Sequence, residues 1–256
     1  MSKHGSAART EVQPTVAAGP DAPASHARAP APRWLPIRTL AVHHRSRILI
    51  HLLALDARDR QLRFGHAASD AHIARYVQGL DFARDEVLGV FDRRLRLVAM
   101  AHLAFPDPAY PGSDAQAWAA TGAVAEFGVS VSPRLRRRGI GASLFERAAL
   151  HARNRGVEHL VVHALSENAA MLALAHRAGA PVTCEGADST AVLRLPAEDL
   201  ASHCQQALGS RAGAVDYDFK RRARQLGRMA RTARHLAERS MLKVCAPHDA
   251  PGKPQR

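Results

Sequence analysis

Eleven residues in the middle of the chain constrain its fold more than any other segment: Val131-Ser-Pro-Arg-Leu-Arg-Arg-Arg-Gly-Ile-Gly141. A β-prone run, 123–131, leads into this basic loop, and a helical pattern, 142–155, follows it. Gly139 and Gly141 let the backbone turn tightly and approach a ligand closely. Their amides and those of the first helical turn have no partner inside the helix, and the helix dipole makes the same place positive. The segment therefore predicts a phosphate-binding site, and three arginines add charge to it: Arg136, Arg137 and Arg138.

Two common nucleotide-binding loops do not fit this spacing. A P-loop would end in Gly-Lys-Ser/Thr, and the dinucleotide fingerprint would carry a third glycine and a later acidic residue. The spacing Val-x-Pro-x-x-Arg-x-x-Gly-x-Gly instead resembles the acetyl-CoA pyrophosphate loop of the GNAT superfamily of N-acetyltransferases. Arg136, Gly139 and Gly141 coincide with its Arg/Gln-x-x-Gly-x-Gly/Ala signature. The alternative interpretation is a basic surface turn that is capped by glycines.

The resemblance implies acetyl-CoA as the co-substrate, and it implies how the chain would hold it. In the superfamily, the strand before the loop separates from the next strand, here 157–165, and its freed backbone groups pair with the pantetheine arm. A backbone amide of the same strand would polarise the thioester carbonyl. The residues predicted to bind the cofactor are Val129, Val131, Arg136, Arg137, Arg138, Gly139, Ile140, Gly141, Ala142 and Asn168.

The order of the predicted elements gives the fold class. Strand and helix patterns follow one another as β-α-α-β-β-β-α-β-α-β-β between residues 37 and 196. This order predicts an α/β protein whose mixed sheet of about six to seven strands is flanked by helices. It is also the order of the GNAT fold, so the resemblance covers this whole region. The predicted parts are a disordered segment at 1–33, a GNAT domain at 34–197 and a basic helical extension at 198–256.

Local signals predict where several elements begin and end. Ser69 is expected to cap one helix, and Gly179 is expected to end another. Residues 59–64 are predicted as a connection between helices. Residues 106–122 are predicted as a loop rich in proline and glycine.

Composition limits the compartment and the partners. The formal net charge of +13 would favour nucleic acid or an anionic surface, but the charge is concentrated in the arginine-rich loop and the C-terminal region. No apolar run is long enough for a membrane span, and no secretory signal pattern is present. The cysteines are odd in number and have neither disulfide nor metal spacing: Cys184, Cys204 and Cys245. These features predict a cytoplasmic protein without a bound metal.

A glutamate interrupts the otherwise apolar or small residues of the central strand. Alternation puts Glu126 on the face that carries Gly128 and Ser130. Burying a carboxylate there would cost free energy unless the carboxylate is ion-paired or needed for catalysis. Desolvation would make it a better general base for the substrate ammonium. The alternative is a surface glutamate that is ion-paired to an arginine. His102, on a strand expected beside the central one, is interpreted as a hydrogen-bonded core histidine.

A second motif, 166–180, also resembles the superfamily. Asn168 and Gly179 match its asparagine and its late glycine. Ala175 stands where many members carry a tyrosine that protonates the CoA thiolate, and Ala180 stands where a phenylalanine usually follows the glycine. Loss of the tyrosine need not abolish turnover, because water can protonate a thiolate.

Bacterial protein-lysine acetyltransferases of the Pat type are a subgroup that resembles the chain more closely. They carry Ala-Glu-Phe in the central strand, here 125–127. They also carry an Asn-x-x-Met-Leu-x-Leu helix without the tyrosine, here 168–174. Residues 62–64, Leu-Arg-Phe, are similar to a further segment of that subgroup.

The C-terminal region is predicted to form two helices, 198–208 and 217–242, joined by a linker at 209–213. The simplest interpretation of the second is a solvated, arginine-rich helix. A second interpretation is a packing helix, including one that forms a homodimer, which would use Phe219, Leu226, Met229 and Leu236. A third is a helix that binds nucleic acid or a membrane surface, although side chains that stack on bases are nearly absent.

Together, the motifs favour an N-acetyltransferase that moves the acetyl group of acetyl-CoA directly to a primary amine, with Glu126 as general base. The acceptor is either a protein lysine or a small molecule. The alternative is a non-catalytic module that binds an acyl-CoA and uses its basic tail to bind a partner or nucleic acid. The substituted positions Ala175 and Ala180 motivate this alternative.

Overall fold

A computed structural model of the chain describes residues 35–106 and 123–244, with side chains as far as residue 232. The predicted segment 1–33 lies outside the described residues, as does the predicted loop from residue 107 onward. The strands are β1 Ile37–Thr39, β2 Glu86–Phe91, β3 Leu97–Ala104, β4 Val124–Val131, β5 His159–Leu165, β6 Val182–Glu185 and β7 Asp188–Arg194. The helices are α1 Arg45–Leu53, α2 Ala57–Phe64, α3 Asp70–Gly79, α4 Ile140–Arg153, α5 Ala169–Arg177 and α6 Leu200–Val244.

The strands form one 7-stranded sheet in the order β1-β2-β3-β4-β5-β7-β6. Neighbouring strands run antiparallel, except for β4 and β5, which are parallel. A parallel pair needs a crossover connection, and α4 supplies it between these two strands. The predicted α/β fold with a mixed sheet is therefore confirmed.

Each face of the sheet has its own apolar core. On one face, Phe127 of β4 packs edge-on against Phe145 of α4, with ring centroids 5.0 Å apart. On the other face, α1 and α3 cover β2 and β3 with Ile48, Leu52 and Ile73. Residues of β4 therefore alternate between a face covered by α4 and a face covered by the first helices, as the sequence pattern predicts.

Residues 59–64 belong to helix α2, so their prediction as a connection is wrong. The Asp56 side chain caps this helix by accepting a hydrogen bond from the Asp59 amide at 2.8 Å, and Gly65 ends it with a φ of +77°. Both ends are therefore fixed by local chemistry, which compensates for a weak apolar pattern. The predicted cap of α3 is confirmed, because the Ser69 hydroxyl accepts a hydrogen bond from the His72 amide at 3.2 Å.

The C-terminal region is one continuous helix, so the predicted linker at 209–213 is also wrong. Helix α6 runs for 45 residues and passes close over β1 and α4. A Cβ added to Gly213 would lie inside van der Waals contact of the Ile37 carbonyl oxygen, and one added to Gly209 would meet the Arg147 guanidinium. Gly213 allows the helix to approach the sheet closely, and Gly209 makes room for the Arg147 side chain of α4. Neither glycine breaks the helix.

This contact predicts that replacing two glycines of α6 with alanine changes the stability of the protein in opposite directions. Alanine usually stabilises a helix interior by about 1 kcal/mol relative to glycine, and Gly227→Ala should do so because no atom lies within 4 Å of the added Cβ. Gly213→Ala should instead destabilise the fold by about 1–3 kcal/mol, since the helix must move away from β1. Chemical denaturation of the two variants checks this. A Gly213→Ala variant as stable as Gly227→Ala would contradict the close contact.

Candidate active site

The basic loop ends at the N-terminus of α4. Gly139 precedes the helix with a φ of +79°, and its carbonyl accepts the first helical hydrogen bond from the Ser143 amide at 3.0 Å. No side chain of the described residues caps this end. The amides of Ile140, Gly141 and Ala142 therefore have no intrahelical partner and are available to an anion.

Gly141 has a role that the fold alone does not explain. It lies within the helix, outside the left-handed region, and a Cβ added there would meet no protein atom within 4 Å. Glycine in a helix costs about 1 kcal/mol relative to alanine. The space beside its Cα therefore lies open to a ligand, and a pyrophosphate group fits the combination of open space and free amides.

The three arginines of the loop have different surroundings. Arg136 forms an ion pair with Asp59, a buried residue of α2, and its Nε donates to the Val131 carbonyl at 3.2 Å. Arg137 has a φ of +57°, a left-handed backbone conformation that is uncommon for residues other than glycine. Its side chain lines the cavity beside the loop. Arg138 is exposed and does not line that cavity. Arg136 thus ties the loop to α2, while Arg137 contributes charge to the cavity wall.

Strands β4 and β5 separate before the loop, as the family resemblance implies. Their pairing covers Val124–Glu126 against His159–Val161, whereas β4 continues to Val131. The Ser132 amide donates to the Val98 carbonyl, towards β3, at 2.9 Å. Because backbone groups alternate sides along a strand, Val129 and Val131 direct theirs towards the open edge. This edge can accept hydrogen bonds from an extended ligand and donate to it.

A cavity of about 870 Å³ lies where the loop, the open edge of β4 and α5 meet. This volume is within the usual range of small-molecule sites, about 300–1,000 Å³. Residues of α2 close its other side. The predicted cofactor residues that line the cavity are Val129, Val131, Arg136, Arg137, Gly139, Ile140, Gly141, Ala142 and Asn168. Of the predicted site residues, Glu126 and Arg138 lie outside this lining.

Asn168 has a structural role at the cavity wall. Its side-chain oxygen accepts a hydrogen bond from the Met171 amide at 3.2 Å and so caps α5. Its side-chain nitrogen donates to the Leu62 carbonyl of α2, also at 3.2 Å. The side chain therefore fastens α5 to α2 across the cavity. Ala175 and Ala180, the positions where the family resemblance implies aromatic residues, are both buried in the core beneath.

Glu126 is exposed, which corrects the prediction that burial desolvates its carboxylate. The residue lies at the last paired position of β4 and β5, on the face that carries Gly128. The guanidinium of Arg63 covers Gly128 so closely that an added Cβ would lie 2.8 Å from it. The carboxylate therefore has access to water, beside a wall built by α2 and α3.

A chain of hydrogen bonds lies on the same face as Glu126. Arg63 donates to the Tyr76 hydroxyl at 2.8 Å, that hydroxyl lies 2.9 Å from His102 Nδ1, and His102 Nε2 lies 3.0 Å from Asp85. Both ring nitrogens of His102 have partners, which confirms the interpretation of a hydrogen-bonded histidine. Because the Asp85 carboxylate only accepts, a neutral His102 donates to Asp85 and accepts from Tyr76.

The pKa values of Tyr76 and Asp85, two members of this chain of hydrogen bonds, are shifted in opposite directions. Burial raises the pKa of Tyr76, and the nearby charge of Glu126 acts in the same direction. Burial also raises the pKa of Asp85, but hydrogen bonds from His102 and Arg84 outweigh it and hold that pKa below its ordinary value. Tyr76 is therefore a neutral hydroxyl near Glu126, at a fixed position.

A buried pair supports the cavity wall further along β4. Ser130, which lines the cavity, has its hydroxyl 2.9 Å from Nε2 of His51 in α1. Burial lowers the pKa of His51 to about 4, so this histidine is neutral near pH 7. The Ser130 side chain is thereby held towards α1, which leaves the backbone of β4 to face the cavity.

Several residues of the site were not predicted as functional, among them Asp59, Arg63 and Tyr76. Asp59 and Arg63 lie on α2, which was predicted as a connection, so no inward face was assigned to them. The caps at Asp56 and Gly65 are the local signal that could have revealed this helix. Nothing in the sequence pairs Tyr76 with His102, since that contact depends on how α3 packs on the sheet.

The profile of the acetyltransferase (GNAT) family matches residues 52–180. This span runs from α1 through the central strand and the basic loop to the end of the second motif, and the chain belongs to this family. No curated protein matches the sequence. None of the helices in residues 35–106 and 123–244 combines the length and apolarity needed to cross a bilayer.

A search of solved structures finds matches at low sequence identity. The GNAT domain of S. lividans PAT is 20% identical, with a TM-score of 0.51 over 62% of this chain and 89% of that one. The putative acetyltransferase yncA of Salmonella typhimurium, solved with acetyl-CoA, is 19% identical, with a TM-score of 0.47 over 64% and 96%. A phosphinothricin acetyltransferase of Sinorhizobium meliloti, in complex with AcCoA, is 15% identical, with a TM-score of 0.48 over 65% and 91%. The S. lividans domain supports the GNAT fold of this chain.

Proposed function

We propose that the protein is an N-acetyltransferase that moves the acetyl group of acetyl-CoA to a primary amine. One observation carries the proposal: in a chain of this family, the free amides of α4 and the open edge of β4 border the same cavity. Amides at a helix N-terminus suit a pyrophosphate, and an open strand edge suits the amide-bearing pantetheine arm.

In this proposal the chain holds acetyl-CoA mainly through its backbone. The amides of Ile140, Gly141 and Ala142 bind the pyrophosphate oxygens, and Arg137 adds positive charge. The backbone groups of Val129 and Val131 pair with the pantetheine arm. Arg136 and Asn168 act indirectly, because their side chains fasten the loop and α5 to α2.

Glu126 is the proposed general base. It takes a proton from the acceptor ammonium, directly or through water, and the amine nitrogen then bonds to the acetyl carbon as the carbon–sulfur bond breaks. The nitrogen gives up its second proton to water as the amide forms, and the CoA thiolate leaves and takes a proton from water, since Ala175 offers no acid. Glu126 lies three residues before Val129, about 10 Å along the strand, so the acceptor nitrogen would lie between the carboxylate and the acetyl group.

Direct transfer is favoured over a covalent enzyme intermediate. Cys184 follows the second motif in sequence, but it lies on β6 at the edge of the sheet, three strands away from β4. At the usual spacing between strands this is a separation of about 14 Å. Among the described residues, no cysteine lines the cavity. The acceptor is proposed to be a protein lysine or a small-molecule amine.

Calorimetric titration with acetyl-CoA, followed by measurement of free thiol release, tests the proposal. We expect binding of one acetyl-CoA per chain, and thiol release with at least one class among polyamines, amino acids, aminoglycosides and lysine peptides. No heat and no thermal shift at millimolar acetyl-CoA would contradict the cofactor assignment. Binding without thiol release from any amine would instead favour a non-catalytic acyl-CoA-binding module.

A further inference from the structure

Helix α6 carries a row of large apolar side chains that the rest of the described chain leaves uncovered. These side chains are between 57% and 72% exposed, although residues of this kind are usually buried. We call the row the heptad stripe: Leu208, Val215, Phe219, Leu226 and Met229. An exposed apolar row of this length on one helix is a feature of a surface that binds a partner.

The spacing of the stripe is that of a coiled-coil seam. Leu208 and Val215 are seven residues apart, and so are Phe219 and Leu226. The complete seam consists of positions 208, 212, 215, 219, 222, 226 and 229, which are separated by alternating steps of four and three residues. Ala212 and Arg222 occupy the two seam positions that do not belong to the stripe. This repeat of 3.5 residues per turn keeps one face of a helix against another helix over several turns.

The opposite face of α6 packs against the body of the protein. Tyr217 is buried, Lys220 donates to the Phe91 carbonyl at 2.9 Å, and Arg224 donates to the Arg94 carbonyl at 2.6 Å. Gly213 lies against β1 on the same side. The heptad stripe therefore points away from the body, towards solvent.

The positively charged side chains of this part of α6 lie mostly on the other faces of the helix, and few lie within the seam. Five basic residues lie at positions outside the seam and its flanks: Lys220, Arg221, Arg224, Arg228 and Arg231. Within the seam, only Arg222 is charged. A helix bound to nucleic acid would turn its basic side towards the partner, whereas here part of that side contacts the body. The apolar side is the free one, so a helical protein partner fits better.

When a second copy of the helix runs antiparallel to the first, small side chains of one seam face large side chains of the other. In an antiparallel pair centred between residues 220 and 221, Ala212 faces Met229 of the other copy, and Val215 faces Leu226. Phe219 faces Arg222, an arrangement that allows a cation–π contact. In a parallel pair each residue would face its own equivalent, so Arg222 would meet Arg222 and Ala212 would leave a gap.

We propose that the heptad stripe is the seam of an antiparallel coiled coil formed with a second copy of the chain. The proposal is independent of acetyl transfer, because α6 contributes no residue to the cavity lining. The resulting dimer has the two-fold symmetry that is commonest among homo-oligomers, with the same patch buried on both copies.

Sedimentation equilibrium of the full chain tests the proposal. We expect a dimer, and Leu226→Arg should raise its dissociation constant at least about a hundredfold, since one apolar contact is lost from each copy. Leu226 is exposed, and arginine has a similar helix propensity, so folding and acetyl-CoA binding should be unchanged. A wild type that is monomeric at about 100 µM overturns the proposal, and so does a Leu226→Arg variant that remains dimeric.

A matched pair of arginine variants locates the seam. Arg222→Leu removes the charge within the stripe and should tighten the dimer by about tenfold, whereas Arg221→Leu makes the same change outside it and should have no effect. Equal effects of the two variants would place the interface elsewhere and overturn the proposal. A monomeric protein that binds duplex DNA would make nucleic acid the partner of this helix.

Disulfide trapping determines the orientation of the two helices. The starting variant has Cys184, Cys204 and Cys245 replaced by serine. Val215→Cys and Leu226→Cys are then introduced into separate samples. An antiparallel pair gives cross-linked dimers only when the two samples are mixed, because residue 215 faces residue 226. Cross-linking of either sample alone would require a parallel pair and overturn the antiparallel arrangement.

Discussion

Replacing Glu126 with glutamine should lower kcat by about a hundredfold to ten-thousandfold while leaving the acetyl-CoA dissociation constant nearly unchanged. Glutamine has the same shape as glutamate but cannot accept a proton from the substrate ammonium. The carboxylate lies outside the lining of the cavity proposed for the cofactor, so acetyl-CoA binding should not depend on its charge. Steady-state kinetics with the best acceptor, together with calorimetric titration, measures both quantities.

The pH dependence of the same variant distinguishes a base from a structural residue. A primary amine of the lysine type has a pKa of about 10.4, so the fraction that is already unprotonated rises as the pH approaches that value. The deficit of Glu126→Gln should therefore shrink at alkaline pH if the carboxylate only removes this proton. A structural defect would persist at every pH.

Glu146→Gln is the matched control for this experiment. Glu146 is an exposed glutamate on α4 and does not line the cavity, so the same loss of charge there should leave kcat unchanged. Wild-type kcat/KM in Glu126→Gln would show that another group, or water alone, removes the proton. An equal loss in both variants would indicate a general effect of charge.

Local rules were enough to predict most of the elements around the cavity. The central strand is apolar or small apart from Glu126, the loop carries glycines where the chain turns, and Asn168 and Gly179 lie at the ends of α5. Each of these features depends on residues close together in sequence. The bounds of β4 therefore agree with the sequence prediction, and α4 begins at Ile140, two residues before the predicted helical pattern. The separation of β4 from β5 agrees with what the family resemblance implies.

Features that depend on packing between distant segments were predicted less well. Apolar periodicity is weak in 57–64, so α2 was missed, although Asp56 and Gly65 fix its ends. Gly209 and Gly213 usually indicate a break, yet here they permit close contact between a continuous helix and its neighbours, Arg147 of α4 and Ile37 of β1. Glu126 is exposed although it lies on the β4 face that the first helices cover, which no pattern within the strand could reveal.

Placing leucine at position 141 should raise the acetyl-CoA dissociation constant at least about a hundredfold without destabilising the protein. A side chain at this position would project into the space beside the free amides of α4, where we propose that the pyrophosphate lies. No protein atom lies within 4 Å of the added Cβ, so the fold itself can accept it. Calorimetry measures the affinity, and thermal denaturation without cofactor measures the stability.

Gly141→Ala separates the helix effect from the ligand effect. Both alanine and leucine should stabilise the first turn of α4 by up to about 1 kcal/mol relative to glycine. Only leucine has enough volume to exclude the pyrophosphate. The family signature that the loop resembles has either glycine or alanine at this position. Stability should therefore rise in both variants, while affinity falls mainly in Gly141→Leu. If Gly141→Leu bound acetyl-CoA as the wild type does, the phosphates could not lie against the N-terminus of α4, and the cavity would need another ligand.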